Sequence, residues 1–314
     1  MYCDFPSYSG MEEWMDSYLC ALIKEIDTKG QILSDSYSIK TIFLGGGTPT
    51  LFSGGQIQSV LDACYKKFHI CSDAEITAES NPGTLDRPKL YSMRSAGINR
   101  LSIGLQAWQD RLLDIMGRIH KQQDFIDSVD YAKEAGFHNI NVDIMFGLPT
   151  QTMDEWLETL DKVCNIGIEH ISAYSLKIEE GTKFYDLMNK GVLHMVDEDT
   201  ERDMYHTCID VLKQYGFKQY EISNFAKHGF ECRHNLIYWE DQEYIGCGSG
   251  AHSFINCKRF ANTVNIAEYV EKIENNQKAV AFEENIDKKT ERFEAIMMNL
   301  RLNRGIIKKD FHDS

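Results

Sequence analysis

Short apolar runs and one-sided helical stripes alternate along the first half of the chain. Lys40-Thr41-Ile42-Phe43-Leu44 is an apolar run that ends in glycines, the pattern of a buried strand. Glu75-Ile76-Thr77-Ala78-Glu79-Ser80 alternates with period two. Arg100 to Gln106, Asn139 to Phe146 and His170 to Leu176 repeat the strand pattern. Between the strands, apolar residues recur at helical spacing: Ile57, Val60, Leu61 and Cys64; Phe125, Ile126, Val129 and Ala132; Trp156, Leu157, Leu160 and Val163. Gly97, Gly136 and Gly167 follow helical segments, where a left-handed C-cap is wanted. Each strand–helix unit takes about 30 residues, the size of a parallel βαβ unit.

Five such units build either a doubly wound sheet or a β/α barrel. Polar residues recur at the expected strand ends: Thr48, Glu79, Gln106, Asp143 and Ser175. A doubly wound sheet uses one or two strand ends at its crevice, whereas a barrel uses nearly all of them, so the pattern favours the barrel. Further on, 197–216 reads as a helix with Met204, Cys208, Val211 and Leu212 on one face. Tyr220 to Ser223 reads as a strand, and Gly246-Cys247-Gly248-Ser249-Gly250 follows an aromatic cluster. A last helix, 287–302, puts Phe293, Ile296, Met297 and Leu300 on one face.

Composition narrows the function classes. The 314 residues are 43% hydrophobic and 26% charged, ordinary for a soluble globular chain of one large domain with at most a partial second. The net charge of −15 opposes nucleic-acid binding, and basic residues run only in pairs such as Lys66-Lys67. No stretch approaches the ~18 apolar residues of a membrane span. The first residues show no signal-peptide pattern, and a cytoplasmic location is expected. Nine cysteines, odd in number and widely spaced, read as reduced thiols, most of them small core residues.

Four segments carry candidate chemistry. Gly45-Gly46-Gly47-Thr48-Pro49-Thr50 lets a ligand approach bare backbone, or is simply a tight turn; it matches neither a P-loop nor a dinucleotide fingerprint. Glu79 and Asp143 are strand-end carboxylates suited to acid–base work or to holding an ammonium or ribose, unless each is merely paired with an arginine such as Arg100. Arg118 suits a ligand carboxylate, or is a solvated helix-end residue. His234, beside Tyr238 and Trp239, suits a haem iron, or is a polar residue satisfied locally.

Taken in order, these segments resemble one family. They are Tyr2-Cys3-Asp4-Phe5, the glycine run with Thr48, Glu79 with Asn81-Pro82-Gly83, Gly104-Leu105-Gln106 and Gly117-Arg118-Ile119-His120. Asp143 with Phe146-Gly147-Leu148-Pro149, Tyr174-Ser175-Leu176, His234 to Trp239 and Gly248 to Ser253 complete the series. The chain resembles the radical S-adenosylmethionine (SAM) proteins of the oxygen-independent coproporphyrinogen III oxidase-like family, and within it the haem-chaperone branch.

The resemblance implies a [4Fe–4S] cluster, SAM and haem as cofactors. Cys3 resembles the third cysteine of the cluster loop. Phe5, Gly46, Gly47, Thr48, Glu79, Gln106, Arg118, Asp143 and Ser175 match SAM-lining positions. His234, Asn235, Tyr238 and Trp239 match the haem motif, and no residue is assigned a catalytic role. Phe5 stands where the oxidases carry a further cysteine. The resemblance therefore implies a haem carrier serving a haem-accepting protein, with coproporphyrinogen oxidation through a 5′-deoxyadenosyl radical as the alternative. The first two cluster cysteines, the first barrel strand and the end of a small C-terminal domain are absent from the sequence, which reads as short at both ends. The fold expected is α/β, a partial (β/α)6 barrel lacking its first strand plus an incomplete smaller C-terminal α/β region. The barrel is expected over 1–215, and the haem-motif region over 216–314.

Overall fold

A computed structural model describes Tyr2 and residues 10–306. Helix α1 (Met15–Leu33) precedes β1 (Ser38–Leu44), α2 (Gly54–Lys67) and β2 (His69–Ser80). Next come α3 (Arg87–Ser95), β3 (Arg100–Gln106), α4 (Asp110–Met116), α5 (Gln122–Glu134), β4 (Ile140–Phe146), α6 (Met153–Asn165) and β5 (His170–Ser175). They are followed by α7 (Lys183–Asn189), α8 (Glu198–Gln214), β6 (Lys218–Gln219) and β7 (Asn224–Ala226). The last elements are α9 (Arg233–Trp239), β8 (His252–Ile255), β9 (Lys258–Asn262), α10 (Ile266–Glu274), β10 (Val280–Asn285) and α11 (Lys288–Asn299). No described helix is long and apolar enough to cross a membrane.

The five expected strands form, in a seven-stranded sheet of order β1-β2-β3-β4-β5-β7-β6. Strands β2 to β5 pair in parallel, and the short β7 and β6 add antiparallel. The expected strand Tyr220 to Ser223 is instead the turn joining β6 to β7, with the Tyr220 N–H donating to the Asn224 carbonyl. Asp143 does not close its strand either. Strand β4 runs on to Phe146, so the carboxylate sits in mid-strand.

The chain divides into two compact units. One gathers Tyr2, Phe43–Leu51 and Ile76–Glu231; the other gathers 10–42, Phe52–Glu75 and 232–306. In the first, period two sorts the strand residues onto two faces. Ile76 and Ala78, Leu101, Ile103 and Leu105, Ile140, Val142 and Ile144, and Ile171 and Ala173 are all buried. Buried helix residues belong to the same core: Leu90 and Met93 of α3, Phe125, Val129 and Ala132 of α5, and Trp156, Leu160 and Val163 of α6. Trp156 also satisfies its indole N–H on the Met204 carbonyl, 2.9 Å away. Gly97, Gly136 and Gly167 have φ of 109°, 86° and 77°, the left-handed stops read from the sequence. The opposite strand face is polar, and it builds the site described below.

The second unit is organised by the carboxylate of Glu25 on α1. Its relative exposure is 4%, and it accepts hydrogen bonds from Gly248 N–H (2.8 Å), Asn262 Nδ2 (2.8 Å) and the Tyr269 hydroxyl (2.7 Å). Lys29, one helical turn on, adds an ion pair at 2.8 Å. Four donors offset the cost of taking the charge from water. Gly248 has to be glycine, because a Cβ there would lie 2.7 Å from the Tyr18 hydroxyl and φ is +109°. Strands β8, β9 and β10 form a small antiparallel sheet. Glu25→Ala strands the N–H, amide and hydroxyl donors and leaves Lys29 without this partner. The expected loss is about 3–5 kcal/mol of unfolding free energy, read by urea denaturation. A loss below about 1 kcal/mol, the scale of an ordinary exposed ion pair, contradicts this role.

Candidate functional site

The polar strand face of the first unit carries Thr77 and Glu79 from β2, and Arg100, Ser102, Gly104 and Gln106 from β3. Asn141 and Asp143 come from β4, and His170 and Ser172 from β5. Register sets them side by side: Glu79 opposite Ser102, Gly104 opposite Asp143, Asn141 opposite His170 and Asp143 opposite Ser172. A continuous hydrogen-bond chain results. The Asn141 amide donates to Ser102 Oγ (2.7 Å) and Asp143 Oδ1 (2.8 Å), and Ser102 Oγ donates to Asp143 Oδ2 (3.0 Å). The Asn141 carbonyl accepts from His170 Nδ1 (2.6 Å) and Ser172 Oγ (3.1 Å), and the Tyr220 hydroxyl meets His170 Nε2 at 2.9 Å. Burial, with the Arg100 charge second, holds His170 well below its ordinary value, so the ring is neutral.

The two candidate carboxylates lie on this face. Burial raises the Asp143 carboxyl, although hydrogen bonds from Asn141, Ser172 and Ser102 pull the other way. Burial, then the charge of Asp143, pushes Glu79 up to about 7; the Gly46 N–H and Arg100 oppose that shift without cancelling it. Among described residues Glu79 accepts one hydrogen bond, from Gly46 N at 3.0 Å. A Cβ at Gly45 would strike the Phe43 ring, at 2.5 Å. At Gly46 or Gly47 it would meet no described atom within 4 Å, so among the described residues both present bare backbone, and Gly46 also has φ +106°.

Gln106 ends β3 at a register shift with φ +72°, a left-handed conformation costing a non-glycine residue about 1 kcal/mol or more. Gly104 makes room for it, since a Cβ there would lie 2.7 Å from Gln106 Nε2. Asn81, which the sequence reading left out of the site, ties the pieces together. Its amide donates to Thr48 Oγ1 (2.9 Å), and its carbonyl accepts from Arg118 Nη1 (3.3 Å). Arg118 also donates to the Tyr2 hydroxyl at 2.5 Å, while its Nε is buried with no partner among described residues. Ser175 makes no hydrogen bond to this cluster among the described residues. Its hydroxyl donates to Glu201, and it lines a cavity of about 380 Å³ with Phe146, Ala173, Arg202 and Tyr205.

In the second unit the segment from His234 to Trp239 forms α9. Its N-terminus has no cap of its own. Glu75 of β2 supplies one, accepting from Arg233 N–H (3.1 Å) and His234 N–H (3.0 Å), with Cys232 Sγ at 3.5 Å. Arg233 reaches back to the Asp73 carbonyl at 2.5 Å. The His234 ring is engaged at both nitrogens, by Thr41 Oγ1 at Nδ1 (2.8 Å) and by the Tyr238 hydroxyl at Nε2 (3.0 Å). Tyr238 packs edge-on against Tyr244, with centroids 4.7 Å apart. Trp239 lies under the Arg301 guanidinium, and its buried Nε1 has no partner among described residues. Asn235 is part-buried on the same helix.

The sequence profile of the radical SAM superfamily matches residues 1–163. The chain is 40% identical to the haem chaperone HemW of Bacillus subtilis, over 99% of this chain and 82% of that protein. It is 33% identical to HemW of Lactococcus lactis, over 99% and 80% respectively. The chain belongs to the HemW family of radical SAM proteins. In structure it matches the coproporphyrinogen III oxidase HemN of Escherichia coli over 96% of this chain and 72% of that one, with a TM-score of 0.84 at 21% identity. That likeness shows the fold, the partial parallel barrel of radical SAM proteins. Membership in the superfamily implies a [4Fe–4S] cluster and SAM.

The described residues meet these groups unequally. Cys3 and Phe5 lie outside them, and among them no group of three or more His, Cys, Asp or Glu side chains is placed to hold a metal ion. No other described residue replaces the cluster loop. The SAM positions fit better. An unpartnered guanidinium nitrogen, an under-solvated carboxylate and two open glycines suit a ligand carrying carboxylate and ammonium groups. The raised Glu79 carboxyl gives a test with a definite sign. Its folded value of about 7 lies above the unfolded 4.5, so ionising it costs folding free energy, and stability falls as pH rises across that window. Glu79→Gln removes the cost. The variant is expected to exceed the parent in stability at pH 8 by up to about 3 kcal/mol and to match it near pH 4.5, by urea denaturation. Equal stability at pH 8 contradicts the shift.

Proposed function

We propose that the chain is a haem carrier that binds haem at His234 and passes it to a haem-accepting protein, the role its curated relatives are named for. The observation that carries the reading is α9 itself. A buried carboxylate pins its first turn, and it presents an imidazole, a phenol and an indole within six residues. Neutral imidazole is a common iron ligand, and ligation by one protein residue suits a cargo that must leave again. Trp239 would face the macrocycle, the Tyr238 hydroxyl would give up its place beside Nε2, and Asn235 lies on the same helix. The Trp239 N–H, which has no partner among the described residues, is a donor suited to a propionate.

In the other unit, Glu79 would receive the SAM ammonium and Arg118 its carboxylate. Gly46, Gly47 and Thr48 would receive the methionyl backbone, with Gln106, Asp143 and Ser175 lining the remainder. Functionally, the residues around Gly46, Glu79 and Arg118 would form the SAM region, and Thr41, Glu75 and 232–239 the haem region. The net charge of −15 speaks against a nucleic-acid partner, and the odd, widely spaced cysteines suit a reducing, cytoplasmic setting. Haemin titration of the full chain, followed by the Soret band, tests the central step. His234→Ala is expected to lose the shifted band, and a spectrum identical to that of the parent removes His234 as the ligand.

A further inference from the structure

We infer that Thr41 is the positioning residue for the haem ligand His234, and that the Tyr238 hydroxyl is the group the iron displaces. The inference rests on the haem reading above. A neutral imidazole carries its proton on one nitrogen and a lone pair on the other. Only the tautomer with the proton on Nδ1 leaves Nε2 able to bind a metal. In that tautomer the Nδ1–H donates to Thr41 Oγ1, 2.8 Å away. Thr41 sits on a strand, where its β-branched side chain has few rotamers, so the acceptor is fixed in place. An imidazole whose remote N–H is so bonded is a more basic ligand with a set ring orientation.

The same tautomer settles the other contact. With the proton on Nδ1, the Tyr238 hydroxyl donates into the Nε2 lone pair across 3.0 Å. Tyr238 is one helical turn beyond His234, and its ring stands at 86° to the imidazole. Tyr238 is 38% exposed, so a rotation of its side chain toward solvent, away from Tyr244, releases Nε2. Glu75 holds the N–H groups of Arg233 and His234 meanwhile, so the ligand keeps its place while Tyr238 moves. The haem-free protein thus keeps its ligand nitrogen hydrogen-bonded, and haem has to compete with that bond.

Haemin titration and resonance Raman spectroscopy of the ferrous complex test both roles on the full chain. Thr41→Val is expected to weaken haem binding about tenfold and to lower the iron–histidine stretching frequency. Thr41→Ser, which keeps the hydroxyl, is expected to restore both. Tyr238→Phe keeps the ring and removes the competing hydroxyl, and is expected to tighten binding. Wild-type affinity and frequency in Thr41→Val, in a series where His234→Ala has lost the complex, overturn the role of Thr41 and leave the haem reading standing. Weaker binding by Tyr238→Phe overturns the displaced hydroxyl. A parent-like spectrum in His234→Ala overturns the haem reading, and this inference with it.

Discussion

A carboxylate taken out of water has to be met by donors, and the interior acids of this chain are met to different degrees. Glu25 receives a backbone N–H, an amide, a phenol and an ammonium. Glu75 receives two backbone N–H groups and a thiol. Among the described residues Asp143 receives an amide and hydroxyls, and Glu79 a single N–H. The first two are structural. They fix the segment around Gly248 and the start of α9, which have little regular hydrogen bonding of their own. Glu79 is the one left short, at the open glycine edge, which is where a cationic ligand group would make up the deficit. Counting donors thus separates acids that hold the fold from an acid available to a ligand.

Much of the first unit was legible because period two and helical spacing speak plainly there. The strands from Lys40 to Leu44, Glu75 to Ser80 and Arg100 to Gln106 fall within the observed ones. The longest helix, α1, escaped, and its buried face explains why: besides Ala21 and Ile26 it carries Glu25 and Gly30. A charge and a glycine on the core side break the apolar stripe that reveals a helix. Asp143 was read as a strand end although the expected strand, Asn139 to Phe146, already ran past it; parallel pairing with β5 carries the strand through Phe146.

The site was legible as a set of residues and illegible as a network. Gly46, Thr48, Glu79, Gln106 and Arg118 stand out by type and position. Asn81, which joins Thr48 to Arg118, looks in sequence like a turn residue before proline. The chain from Ser102 through Asn141 and His170 to Tyr220 is visible only once strand register is known. The nine cysteines divide similarly. Three of the eight described are buried, and the thiol of one of them, Cys232, meets the Glu75 carboxylate.

His234 carries the functional claim, because it alone would make an iron site of the aromatic helix α9. Crystals of the full chain soaked with haemin and measured at the iron absorption edge test this most directly. The account predicts an anomalous peak at Nε2 of His234 with the Tyr238 hydroxyl withdrawn from that nitrogen. A peak at any other of the ten histidines, or no iron at α9, contradicts it.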